Sequence, residues 1–193
     1  MNILAHLHLA SLAGSSIIGN AAADFVKGDP YRQYSTLIAD GIMMHRRLDK
    51  LIDQLPTVKQ AKSLFCSKTQ RVAPITLDIV WDHFLAKHWT RYVKSRSLAD
   101  FNLQMRSIIE QDIANFPSQF CHFMTHLWQG EWLVNYANID FIGGVLNGMA
   151  NQRPKLVTLR ESFLDFTNNY QQLEQIFFNF YPQLITLATN RQL

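Results

Sequence analysis

Apolar residues recur along this chain at the three- and four-residue spacing of helices, and almost nowhere at the two-residue alternation of half-buried strands. Proline, glycine and capping residues punctuate the periodic segments. A helix is expected from about Ser16 to Lys27, with Ser15 or Ser16 as N-cap and Gly28-Asp29-Pro30 as its stop. Others are expected over Asp40–Gln54, Thr57–Phe65, and from Pro74-Ile75-Thr76 to about Val93. A further helix starts at Ser97 or Asp100 and runs to Pro117, followed by segments near 118–136, 139–150 and 158–180. The only strand-like runs are short and isolated. An all-α, single-domain helical bundle over residues 1–193 follows, with no repeat, low-complexity tract or flexible linker to divide it.

Composition excludes several classes. With 48% hydrophobic and 12% aromatic residues the chain has ample material for a core and is not disordered. No apolar run approaches the roughly 18 residues needed to cross a bilayer. The start, MNILAHLHLASLAG, lacks a basic leader and places His6 and His8 in its apolar stretch, unlike a secretory signal. Cys66 and Cys121 have no CxxC spacing, so a cytoplasmic, reducing setting is expected. Residues 46–96 carry 11 lysines and arginines against Asp49, Asp53, Asp78 and Asp82, a local charge of +7 in a chain whose total is +3. The remainder is net acidic. That asymmetry suits an acidic partner, which could be nucleic acid, an anionic membrane or an acidic protein.

Three apolar segments each bring polar groups that could do chemistry. In GNAAADFVKG, Asn20 and Asp24 share a helical face, with Lys27 a turn further. In GIMMHRRLD, His45 and Asp49 share a face, with Arg46 beside them. In DIVWDHFL, Asp78 and Asp82 are four apart and His83 is offset by about 100° of helix rotation. Buried carboxylates are costly unless paired or bound to a cation. Helical bundles gather such groups into metal centres, and mixed oxygen and nitrogen donors suit Mn²⁺, Fe²⁺ or Mg²⁺, with Zn²⁺ possible. For any one of these pairs, surface capping, ion pairing or a satisfied core histidine is the simpler account, and only their recurrence in three apolar segments weighs against it. Either His6 or His8 could approach such a metal, but a core histidine bonded to a backbone carbonyl is the simpler reading for each, and His122 and His126 read as structural or surface residues. Asn147-Gly148-Met149 reads either as a helix end or as a substrate-facing element.

Taken in order, MNILAHLHLA, GNAAADFVKG, GIMMHRRLD, RVAPITLDIVWDHFLAKHW and WLVNYANIDFIGGVLNGM closely resemble the bacterial acyl carrier protein phosphodiesterases. The resemblance spans the chain from Met1 to its C-terminal region. It implies an HD-phosphohydrolase-like helical fold with rearranged helix order. It also implies a Mn²⁺-dependent hydrolase that removes 4′-phosphopantetheine from holo-acyl carrier protein, an acidic protein substrate, with no role for nucleic acid or membrane. Carried onto matching positions, it implies a metal site of Asp24, His45, Asp82 and His83, with Asp78 orienting or bridging and Lys27 and Arg46 holding the phosphate. The Asp82-His83 order reverses the His-Asp pair that names the wider superfamily. Two other readings stand beside this one: a phosphohydrolase of a nucleotide or other small phosphoester, and a non-catalytic helical module for an acidic partner.

Overall fold

The computed structural model describes residues 1–193 and is all-α, with twelve α-helices, four short 3₁₀ turns and no strand. In order the helices are α1 (Ile3–Ala13), α2 (Ile17–Ala22), α3 (Thr36–Gln54), α4 (Pro56–Ser63), α5 (Ala73–Lys87), α6 (Trp89–Tyr92), α7 (Leu98–Asp112), α8 (Ser118–Gln129), α9 (Trp132–Asn135), α10 (Ile139–Gln152), α11 (Leu159–Asn168) and α12 (Tyr170–Thr189). None is long and apolar enough to cross a membrane.

Two helices buried on nearly every side form the centre. In α1 every residue from Ile3 to Ala10 is buried, His6 and His8 included. In α5, Thr76, Leu77 and the run from Ile79 to Ala86 are buried. A helix apolar all round belongs in an interior, and α1 packs against α2, α3, α5 and α12. One apolar cluster of 50 buried residues joins the elements. Burial at about 25 cal/mol per Å² makes that cluster the main favourable contribution to folding.

Local chemistry sets the boundaries. Ser16 caps α2 by accepting a hydrogen bond from the Gly19 amide, and Ser97 caps α7 through the Asp100 amide. The expected helix over 16–27 shortens: α2 ends at Ala22, a 3₁₀ turn covers Ala23–Phe25, and Gly28 sits in the left-handed region at φ 77°. The expected helix running to Val93 breaks at His88, and the segment over 158–180 breaks at Asn169 into α11 and α12. Asn147, Gly148 and Met149 lie within α10, which continues to Gln152, so they do not end a helix.

A close approach of α2 and α3 builds the functional region. A Cβ on Gly41 would lie 2.8 Å from the Ser16 carbonyl oxygen and Cβ, and 3.3 Å from the Gly19 Cα. Only glycine at the crossing lets the backbones meet so closely. The 3₁₀ turn carrying Asp24 is thereby laid against the helix carrying His45 and Asp49.

Candidate metal and phosphoester site

His45 is the centre of the site. Its ring is buried, and Nδ1–H donates to the Asn20 carbonyl across the α2–α3 contact at 2.8 Å. That bond fixes the ring orientation and points Nε2 at two carboxylates, Asp24 Oδ1 at 3.4 Å and Asp49 Oδ2 at 3.2 Å. Nε2 closes no well-aligned hydrogen bond with either. The His6 ring, from α1, stacks on it with centroids 3.6 Å apart and planes 11° from parallel. His6 Nε2–H faces Asp49 Oδ1 at 3.0 Å and the Met1 carbonyl at 3.1 Å. Ligand-type atoms of His6, His45 and Asp49 all lie within 4.8 Å of one another.

The electrostatics separate the two imidazoles. Burial, reinforced by the neighbouring His45, holds His6 down to about 4, so it is neutral. Burial also works against charge on His45, but contacts with Asp24 and Asp49 outweigh it and raise this imidazole to about 9. Asp49 is lowered well below the carboxylate range: burial opposes this, and His45 and His6 override it. The exposed Asp24 is lowered mainly by its contact with His45. The Met1 amine reaches Asp78 at 3.0 Å and Asp49 at 3.3 Å; burial works against its charge, these carboxylates prevail, and it rises to about 10.

His45 Nε2 is a buried nitrogen aimed between two carboxylates without a well-aligned bond to either, an arrangement that favours positive charge there, here a proton on the imidazole. The backbone carbonyl on Nδ1 gives the orientation that metal-binding imidazoles adopt. The donor set of two imidazoles and two carboxylates fits Mn²⁺, Fe²⁺ or Mg²⁺. The site opens on a cavity of about 610 Å³ whose walls include Asp24, His45, Asp78, Phe25, Trp132 and Arg153.

Of the sequence-predicted residues, Asp24 and His45 come together and Asp78 faces the same cavity. Asp82 and His83 do not join them. Asp82, fully buried, accepts hydrogen bonds from the Leu4 and Ala5 amides at 2.7 and 3.1 Å, capping the start of α1. Burial raises its carboxyl to about 7 despite those bonds. His83 Nδ1–H donates to the Tyr136 carbonyl and Nε2 accepts from the Tyr170 hydroxyl, both at 2.8 Å, so neither nitrogen is free. The 100° offset sends these sequence neighbours to different partners. Arg46 donates to the Val26 and Gly28 carbonyls at 2.6 and 2.9 Å, pinning the loop after Asp24, whereas Lys27 is exposed and outside the cavity wall. His6 and Asp49, which lie outside the predicted metal set, take the places beside His45. The i, i+4 spacing of Asp49 from His45 signals its position, whereas His6 is one of two histidines of the apolar N-terminal stretch and nothing local separates it from His8.

Residues 1–184 match the family described as acyl carrier protein phosphodiesterase. The chain belongs to the acyl carrier protein phosphodiesterase family. It is 50% identical over 193 residues, all of both chains, to a relative of that name from Serratia proteamaculans (strain 568). Relatives of the same name from Enterobacter sp. (strain 638) and Escherichia coli O139:H28 are 48% and 46% identical, again over the full length of both chains. No solved structure matches. The matched residues 1–184 include α1 and α3, which carry His6, His45 and Asp49, the 3₁₀ turn that carries Asp24, and α10, which lines the cavity.

Proposed function

We propose that this protein is a metal-dependent phosphodiester hydrolase that releases 4′-phosphopantetheine from holo-acyl carrier protein and leaves a free serine. The observation that carries the reading is the buried His45 Nε2, held between Asp24 and Asp49 at the wall of a cavity in a member of this family. His45, Asp49, Asp24 and His6 would hold the ion, Mn²⁺ by preference, with Mg²⁺ or Fe²⁺ as substitutes. Bound there, a divalent ion supplies a bound water whose pKa falls from 15.7 towards about 7 and neutralises charge on the phosphate oxygens.

The chain's own residues do the rest. Asn20 fixes the His45 ring, and the His6 ring braces its face. The exposed Asp24 carboxylate is placed to orient the attacking water, while Arg46 keeps the 3₁₀ turn in position through Val26 and Gly28. Arg153, on the cavity wall, is the side-chain cation placed to meet the phosphate, the role expected of Lys27 and Arg46. Water adds to phosphorus, the bond to the serine oxygen breaks, and that oxygen leaves with a proton. Asp82 and His83 act at one remove: Asp82 fixes the α1 start that carries Met1 and His6, and His83 ties α5 to Tyr136 and Tyr170. Kinship with HD phosphohydrolases and a cytoplasmic setting belong to this reading, the latter supported by two unpaired cysteines.

Much of the positive charge in 46–96 is spent within the fold. Lys62, Lys68 and Lys87 pair with Asp53, Glu161 and Glu174, and Arg47 donates to the Leu193 carbonyl. Lys50, Lys59, Arg71 and Lys94 make no such contact and are the docking candidates for an acidic carrier.

Mass spectrometry of holo-carrier protein incubated with this protein tests the reading. The mass of the arm should disappear with Mn²⁺ and persist with chelator. An arm retained under Mn²⁺, Mg²⁺ and Fe²⁺ alike would overturn it.

A further inference from the structure

Resting on that function, we propose that the cavity beside the site is a built receptor for the pantetheine portion of the substrate, with Phe25, Phe123 and Trp132 as its recognition wall. Phe25 lines the same cavity as Asp24 and His45, so the wall starts beside the reacting centre. The Phe25 and Phe123 rings lie 5.3 Å apart, and Phe123 and Trp132 stand edge to face at 6.3 Å. Val145 and Met149, four apart on α10, line the same cavity.

The backbone is specially arranged to place Trp132. Glu131 adopts φ 48° and ψ 39°, a left-handed conformation unusual for a residue with a side chain. At Gly130 a Cβ would lie 2.5 Å from the Trp132 indole, so glycine is required where the ring crosses the turn. The Asn135 side chain holds that turn by donating to the Gly130 carbonyl at 2.8 Å. Strain of this kind persists where the surroundings enforce it, and it clusters at ligand clamps.

The chemistry of the arm matches this lining. Its phosphate is followed by a methylene and a carbon bearing two methyl groups, a bulky apolar knob two bonds from the phosphoester oxygen. With phosphate at Asp24 and His45, that knob falls against the aromatic wall. Two amides follow further along the arm, and Gln119 and Gln152 on the cavity wall offer amide partners for them. A volume of about 610 Å³, ten of whose 17 lining residues are hydrophobic, suits a slender half-apolar ligand. The cavity thus selects for the prosthetic group, and the carrier protein stays outside it.

Calorimetric binding of 4′-phosphopantetheine, beside inorganic phosphate, to the Mn²⁺-supplemented protein provides the test. The wild-type protein should bind phosphopantetheine more tightly than phosphate. Trp132→Ala and Met149→Ala, which shorten the wall, and Val145→Trp, which fills the cavity, should each weaken phosphopantetheine roughly tenfold, the scale of losing one buried anchor, and leave phosphate unchanged. Leu103→Ser, on the exposed face of α7, should match the wild type. Three variants at separate positions keep the result independent of any one that fails to fold. Equal wild-type affinity for the two ligands, or wild-type affinity in the folded variants, overturns the receptor. Failure of the hydrolytic reading looks different: the arm stays on the carrier while the binding differences persist.

Discussion

If His45 holds a proton where a metal would sit, metal-free stability and metal affinity must both depend on pH, in opposite directions. The folded His45 value of about 9 lies above the ordinary 6.5. Its stabilisation is therefore fully present below about pH 6.5 and is lost as pH rises through about 9. Linkage gives a loss of about 2 kcal/mol between roughly pH 7 and pH 9 from this group. The Met1 amine, raised from 8.0 to about 10, adds about 1 kcal/mol of loss in the same direction. Asp82, near 7, contributes less than about 0.5 kcal/mol over that window because most of its penalty has accrued by its start. His6, near 4, does not titrate there. At about 2–4 °C per kcal/mol for a chain of this size, chelator-treated protein should lose roughly 6–12 °C of Tm across the window. His45→Gln should remove about 4–8 °C of that slope. Metal must displace the His45 proton, so the apparent Mn²⁺ affinity should rise about tenfold per pH unit up to about 9, with one proton released per ion. Calorimetry in buffers of different ionisation enthalpy measures that proton directly. A pH-independent Mn²⁺ affinity with no proton released would refute the assignment of His45 as a protonated ligand position.

His45→Ala and Asp49→Ala should each abolish Mn²⁺ binding by calorimetry and reduce kcat/KM at least about 100-fold, while circular dichroism stays helical. Asp82→Ala should instead destabilise by about 3 kcal/mol in urea titration, because two buried amides at the start of α1 lose their acceptor, and Mn²⁺ affinity of the folded fraction should fall far less than in His45→Ala, since only the element carrying His6 loosens. Gly41→Ala, forced against Ser16, should lower both Tm and Mn²⁺ affinity, since it pushes apart the helices that join Asp24 to His45. Arg153→Ala should raise KM for holo-carrier protein in steady-state assays, and the KM of the wild type should climb with salt as carrier docking is screened, with kcat steady.

The parts of the fold that were legible in sequence are those governed by local chemistry. Ser16 and Ser97, each one of two candidates for its helix start, are the N-caps, and apolar stripes locate α3, α7 and α10 to within about five residues, whereas the segment expected over 118–136 ends as α8 at Gln129. Helix α1 escaped because it is buried on all sides and has no polar face to set a period. Its His6 consequently looked like a core residue, although the fold stacks it on His45 from 39 positions away. The breaks at His88, Glu131 and Asn169 were equally silent, since none is marked by proline and only the second adjoins a glycine.

The α5 segment shows why adjacency in sequence misleads about a site. Asp78, Asp82 and His83 were grouped because polar residues in an apolar helix demand partners. They do have partners, but each a different one: the Met1 amine, the α1 amides, and Tyr136 with Tyr170. A helix at the centre of a bundle touches neighbours on every side, so each polar side chain is satisfied by whichever element faces it. The cluster around His45 instead falls at the α2–α3 crossing, where two glycines bring backbones together and a histidine nitrogen meets two carboxylates. Convergence of three elements defines the site, and α5 serves it by holding the first of them in place.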